Sequence, residues 1–378
     1  MSFTEGSVII DVDTSTPGVT RVRTRSTRAG EIAQAMTGQR VDSALPLTLI
    51  KSLYALCPQA HLGAYQSALA ATTGSAAPNV ERRIVYELMG EHLRFLAFDA
   101  PNTVGMRSDP EVKKLGALRA LLAREFAKDA PDYEALDAAL EPLIEYFVTG
   151  CPIARFLALN SLPDFEAWMM RGATAAARLY AQLWENVPCR HQTSVPTLMP
   201  SLGTKEINSW FSDGISPNAP TVHGKPYQTS ALARHTDHPL LAEIGEQYSC
   251  GVRTQFAARL IDLMQYWLER RLPQDVIKSG SPAENCGIAS VQCARGMLIT
   301  RVTVANDTLA RVQIIAPTEW NFTPGSAAQS VLESIDFQSE AQFRADASWV
   351  IAAVDPCVPY QIRFAAPQAP SQKDQAHA

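Results

Sequence analysis

Apolar positions recur mostly at helical spacing along this chain. Between residues 42 and 71, Leu45, Leu49, Leu53, Leu56 and Cys57 share one face, with Asp42 or Ser43 available as a cap. Pro58 either sits inside that helix or restarts it, and in both cases Cys57 and His61 point the same way. Val80, Ile84, Leu88 and Phe95 predict a helix over 79–98. Asp109-Pro110-Glu111 opens another, running to 128. Helices are also predicted over 132–149, closed by Gly150 and Pro152, and over 163–187, 254–271 and 340–354. Strand-like alternation is confined to the two ends of the sequence. It covers 7–12 and 19–24 around Thr16-Pro17-Gly18, then 297–304 and 309–316, joined by Ala305-Asn306-Asp307-Thr308. Residues 188–251 are rich in Pro, Gly, Ser and Thr with weak periodicity, which predicts extended loop with short elements. The polar end, 366–378, is expected to be disordered. The pattern describes a mainly α chain with small β pieces (α+β), one domain over 1–365.

Composition narrows the function classes. The hydrophobic fraction of 46% supports a large core, and the charged fraction of 19% lies below the usual value of about 25%. A net charge of -5 argues against a nucleic-acid partner. The 7 cysteines are scattered without a C-x2-C pair, unlike a disulfide framework. No signal peptide and no run of about 18 apolar residues is visible. The expectation is a cytoplasmic protein with reduced thiols and no membrane partner.

A thiolate at Cys57 and an imidazole at His61 on one face could hold a soft metal. The same pair also reads as a buried apolar cysteine beside a hydrogen-bonded histidine. His235 and His238 form a second pair, more readily placed in a loop. Cys286 and Cys293 read as core residues.

Several blocks taken in order carry a more specific signal. Residues 38–45 read Gly-Gln-Arg-Val-Asp-Ser-Ala-Leu, and Tyr54-Ala55-Leu56-Cys57-Pro58-Gln59-Ala60-His61 follows. Gly224-Lys225-Pro226-Tyr227 leads to Ala231-Leu232-Ala233-Arg234. Then come Ala294-Arg295-Gly296-Met297-Leu298, Ala316-Pro317-Thr318-Glu319-Trp320-Asn321 and Asp355-Pro356-Cys357. Over about 38–363 this series resembles the large subunit of nickel–iron hydrogenases, and it implies that family's helical bundle.

The departures from that pattern are as informative. Tyr54 and Tyr360 stand where the family has two of its four metal-binding cysteines, and Arg363 stands at its closing histidine. No Arg-x-Glu-Gly-His motif occurs in residues 1–37. The segment Gly90-Glu91-His92-Leu93-Arg94-Phe95 keeps few of the family's histidines. A degenerate large subunit of this kind is similar to the HupK/HoxV-type hydrogenase maturation proteins.

That resemblance implies a scaffold rather than an enzyme. The scaffold would carry an iron–dicyanide–carbonyl unit transiently, without nickel, from the maturation proteins that build it to the apo hydrogenase large subunit. Cys57 and Cys357 match metal-binding positions. Arg295 and Thr318 match donors to the cyanides, Pro317 matches the apolar wall around the carbon monoxide, and Asp355 matches a partner for Arg295. His61 closes the first motif. The alternative is a cofactor-free chaperone that mimics the large subunit to recruit maturation partners.

Overall fold

The stretch around Cys57 is two helices, not one. Leu45–Leu53 ends at Tyr54 (φ -97, ψ 83), and a second helix, Pro58–Thr73, begins after Cys57 (φ -135, ψ 54). Pro58 takes the first helical position, where its missing N–H costs nothing. Cys57 thereby sits at the helix N-cap, with non-helical backbone. The computed structural model describes residues 6–16, 19–27, 30–157, 161–187, 197–248, 251–273 and 275–365. The tail over 366–378, expected to be disordered, lies outside the described residues, as do Cys189 and Cys250.

The strands among the described residues are β1 (Val8–Asp13), β2 (Arg21–Ser26), β3 (Ile277–Ala283), β4 (Cys286–Cys293), β5 (Gly296–Ala305), β6 (Thr308–Ile315) and β7 (Tyr360–Phe364). The first sheet has the order β2-β1-β7. β1 pairs antiparallel with β2 and parallel with β7, in a register of Val8 with Tyr360 and Val12 with Phe364. The N-terminal segment thus anchors the strand that follows Cys357. The second sheet is an antiparallel meander, β3-β4-β5-β6. Asn306 and Asp307 (φ 50 and 57) make its β5–β6 turn, as a two-residue hairpin of this hand requires.

The helices predicted over 79–98, 109–128, 132–149, 254–271 and 340–354 are present, with ends shifted by a few residues. Glu81–Arg94 runs into a π-helical turn, Phe95–Asp99. Asp109 and Asp132 cap their helices by accepting from Glu111 N (2.9 Å) and Ala135 N (3.0 Å).

Two expectations need correction. Residues 163–187 form two helices, Leu162–Arg171 and Ala175–Asn186, because Gly172 turns left-handed (φ 57) and Thr174 caps a new start. The region 188–251 carries short elements between loops, as expected: among its described residues Thr204–Ser212, Ala231–Arg234 and Pro239–Tyr248 are helical. Both faces of β4 are covered, so it lacks the alternation that marks a half-exposed strand, and neither it nor β3 was visible in the pattern.

The Pro58–Thr73 helix lies on the meander at van der Waals limits. A Cβ at Gly287 in β4 would stand 1.8 Å from Ala68 O. One at Gly63 would meet Ile84 Cδ1 at 2.9 Å and Ile277 Cδ1, in β3, at 3.4 Å. Two glycines therefore let the helix bearing Cys57 seat directly on the sheet. Gly287→Ala is expected to force them apart and to destabilise the fold by about 1–3 kcal/mol or more. Thermal melting of the purified variant checks this, and an unchanged midpoint would refute the seating.

Candidate functional site

Four elements converge on Cys57. They are the start of its own helix, the Glu81–Arg94 helix, the β4–β5 turn and the loop after the Glu340–Val354 helix. Glu87 is buried and accepts from the first free amides of the Cys57 helix, Gln59 N at 2.7 Å and Ala60 N at 3.0 Å. A carboxylate there satisfies orphan donors and sits at the positive end of the helix dipole. Burial nevertheless raises its pKa to about 8, against the two backbone hydrogen bonds.

Arg295, in the β4–β5 turn, is buried and fully committed to its neighbours on one side. Its Nε donates to Asp355 O at 3.1 Å and lies 3.1 Å from Asp355 Oδ2. Its Nη1 donates to Glu91 Oε2 at 3.1 Å. Asp355 and Glu91 outweigh desolvation and keep the guanidinium charged. Burial raises the Glu91 pKa, against the pull of Arg295 and Arg94. Arg259 braces the same carboxylate, with Nη1 2.9 Å from Asp355 Oδ2, and its guanidinium lies over the Phe95 ring at 4.0 Å. Asp355 takes a left-handed conformation (φ 53), tolerable for aspartate, which turns the chain back toward Thr318.

Cys357 docks on the buried Thr318, second residue of the Pro317–Asn321 helix. Its N–H donates to Thr318 Oγ1 at 3.1 Å, and its Sγ lies 3.0 Å from the same hydroxyl. Pro317 is buried beside it. A cleft of about 310 Å³ opens here, lined by Arg94, Arg295, Asp355, Cys357 and Tyr360 among others.

The thiols lie within electrostatic reach of each other. Burial first, then Cys293, Glu87 and Cys357, push the Cys57 thiol well above its ordinary value, against Arg295. Cys57 and Cys357, 300 positions apart in sequence, are thereby brought within electrostatic reach of each other and of Arg295, which Asp355 holds. His61 is placed otherwise. It is buried and stacked on Tyr54, with ring centroids 3.5 Å apart; Tyr54 belongs to a separate cluster with Ile50, Leu62 and Tyr65. Tyr360 opens β7 at the cleft and is 37% exposed.

Residues that the sequence reading passed over complete the surroundings. Glu87 and Glu91 are one helical turn apart, on a face otherwise filled by Ile84, Leu88 and Phe95. Two carboxylates on an apolar stripe were the available signal. Cys293 was read as core, and it is buried there. His235, paired with His238 in sequence, instead bonds Asp262 Oδ1 through Nε2 at 2.6 Å. Asp262 also binds Arg234 and His92 Nε2. Burial works to raise its pKa, but Arg234 and these hydrogen bonds hold it well below the usual range. Burial pushes His92 down to about 4. Among the described residues, no three His, Cys, Asp or Glu side chains already converge on a metal position, and no helix is long and apolar enough to cross a membrane.

No family model matches the chain. It is 26% identical to the hydrogenase expression/formation protein HoxV of Cupriavidus necator, over 89% of this chain and 91% of that one. It is 23% identical to the hydrogenase expression/formation protein HupK of Bradyrhizobium diazoefficiens, over 88% and 90% respectively. The fold is that of nickel–iron hydrogenase large subunits. The Ni-Fe-Se hydrogenase of D. vulgaris Hildenborough superposes with a TM-score of 0.54 at 14% identity, over 93% of this chain and 98% of that one. An NAD+-reducing NiFe-hydrogenase gives 0.50 at 16% identity, over 94% and 99%.

Glu87 makes a pH prediction. Its folded pKa of about 8 lies above the ordinary 4.5. Between those values the unfolded chain has released the proton and the folded chain keeps it, so this group's contribution to stability falls as pH rises through that window. Above pH 8 it is flat. Urea titrations from pH 5 to 8 should show a declining stability whose slope is reduced in Glu87→Gln; equal slopes in both proteins would contradict the assignment.

Proposed function

We propose that this chain, a relative of the hydrogenase expression/formation proteins HoxV and HupK with the fold of a nickel–iron hydrogenase large subunit, acts in hydrogenase maturation as a carrier of the iron–dicyanide–carbonyl unit. The observation that supports this reading is that Cys57 and Cys357 both lie within electrostatic reach of a buried, charged Arg295. Two thiols supply soft ligands for iron. Arg295 uses Nε and Nη1 on protein groups. Its remaining nitrogen, Nη2, makes no hydrogen bond among the described residues and suits an anionic cyanide, a charge-assisted contact of about 1.5–3 kcal/mol. Pro317 supplies apolar wall. Thr318 holds Cys357 in place through its hydroxyl, so its contact with cyanide would be shared with that sulfur.

The same features argue for transient holding. Each iron–sulfur bond replaces a thiol proton, and burial makes the Cys57 proton costly to remove. Tyr54 is buried against His61 and is turned to packing. A phenol is a poor nickel ligand at neutral pH, so a nickel half-site is not expected. Two thiolates without that half-site hold the unit less tightly than the four-cysteine acceptor does, and transfer runs downhill.

Infrared spectroscopy tests this on protein purified from cells that express the maturation machinery. Metal-bound cyanide and carbon monoxide absorb where protein does not. The expected spectrum has two cyanide bands and one carbonyl band, with iron and no nickel by metal analysis. Cys57→Ala should abolish the bands, Cys357→Ala should weaken them and Arg295→Ala should shift the cyanide bands. Bands that persist unchanged in Cys57→Ala would refute the carrier reading.

A further inference from the structure

We propose that the outer face of the first sheet is a basic docking surface for carboxylate-rich polypeptide, and that its occupant is an acidic patch of the apo hydrogenase large subunit; this rests on the hand-over reading above. β2 alternates strictly. Val22 and Thr24 are buried, while Arg21, Arg23 and Arg25 project from the opposite face and are exposed. Strand pairing carries that face across the sheet. Asp13 pairs with Arg21, Asp11 stands between Arg23 and Arg363, and Ile9 stands between Arg25 and Gln361. Arg363 is also exposed, and its Nη2 donates to Gln361 Oε1 at 2.8 Å. The basic side chains therefore flank the central strand over roughly 13 Å along the strands and roughly 10 Å across them.

The aspartates do not cancel this charge. Arg25 Nε lies 3.7 Å from Asp11 Oδ2 with both side chains open to water, a pair of small worth. Asp13 Oδ1 is engaged by Ser15 N at 2.9 Å. The chain as a whole carries a net charge of -5, so a basic face on it selects the orientation in which an acidic partner approaches.

The free edge of β2 is already taken. Val22 N donates to Glu333 Oε1 at 3.1 Å and Thr24 N to Gln329 Oε1 at 3.4 Å, both from the Ala327–Glu333 helix. A partner cannot add a strand there. What β2 offers is a row of guanidinium groups, whose planar forks match carboxylates. The interspersed Asp11 and Asp13 suit a protein surface of mixed charge better than a uniformly anionic phosphate surface.

Position ties this face to the site. Tyr360, the first residue of β7, lines the cleft with Cys357, and Arg363 follows about 10 Å along the strand. A large subunit seated on the arginines stands beside the mouth of that cleft, where an acceptor of the unit must be.

The test measures association of the full chain with the purified apo large subunit of its hydrogenase by surface plasmon resonance at low and high salt. Wild type should associate fast at low salt and more slowly as salt screens the contact. The combined Arg21→Gln, Arg23→Gln, Arg25→Gln variant should lower the on-rate about tenfold and flatten its salt dependence, with an unchanged melting midpoint. Asp11→Asn, which removes negative charge from the same face, should raise the on-rate, a sign that a folding defect does not produce. A glutamine variant with the wild-type rate and salt dependence would overturn this inference and leave the carrier reading to its infrared test. So would arginine-dependent binding seen only with the maturation proteins, with phosphatidylglycerol vesicles or with a DNA oligonucleotide. Infrared bands unchanged in Cys57→Ala would instead overturn the carrier reading.

Discussion

Everything near the site depends on keeping the Arg295 guanidinium buried and charged. A buried cation is tolerated only where carboxylates and carbonyls replace its water. Here Asp355, from the final loop, and Glu91, from the Glu81–Arg94 helix, do so at 3.1 Å. That pairing joins the β4–β5 turn, a central helix and the C-terminal segment. Arg259 extends it by bracing Asp355 from the Val252–Glu269 helix. Removing one partner of such a pair leaves an uncompensated charge, typically at a cost of about 3–5 kcal/mol. The loop bearing Cys357 is held from the other side by β7, which pairs in parallel with β1.

Much of the helical framework was legible, because long amphipathic stretches with caps at Asp109 and Asp132 leave little freedom. The break at Tyr54–Cys57 was open between two readings; Pro58 takes the restarting role. The covered sheet was less visible. β4 is buried on both faces, so its residues do not alternate, and only its contact with Ala68 explains why Gly287 is glycine. Residues 163–187 misled because the apolar stripe continues across Gly172, where the chain turns.

For the site, the blocks around Cys57, Arg295, Thr318 and Cys357 were readable as a resemblance; in the structure Cys357 bonds Thr318, Arg295 pairs with Asp355, and Cys57 lies within electrostatic reach. Glu87 was not, since it acquires its meaning from a contact between distant elements. His61 shows the opposite case. Its four-residue spacing from Cys57 suggested a shared ligand face, but the helix starts at Pro58, and the imidazole stacks on Tyr54 in a different cluster. Tyr54 and His61 thus fill space as a packed pair on that side.

The account stands or falls on hand-over. The loaded chain, purified and mixed with the apo large subunit of its hydrogenase, should lose its cyanide and carbonyl infrared bands while equivalent bands appear on the large subunit after the two are separated. Bands that stay with this chain, or a large subunit that matures equally well with the unloaded chain, would contradict it.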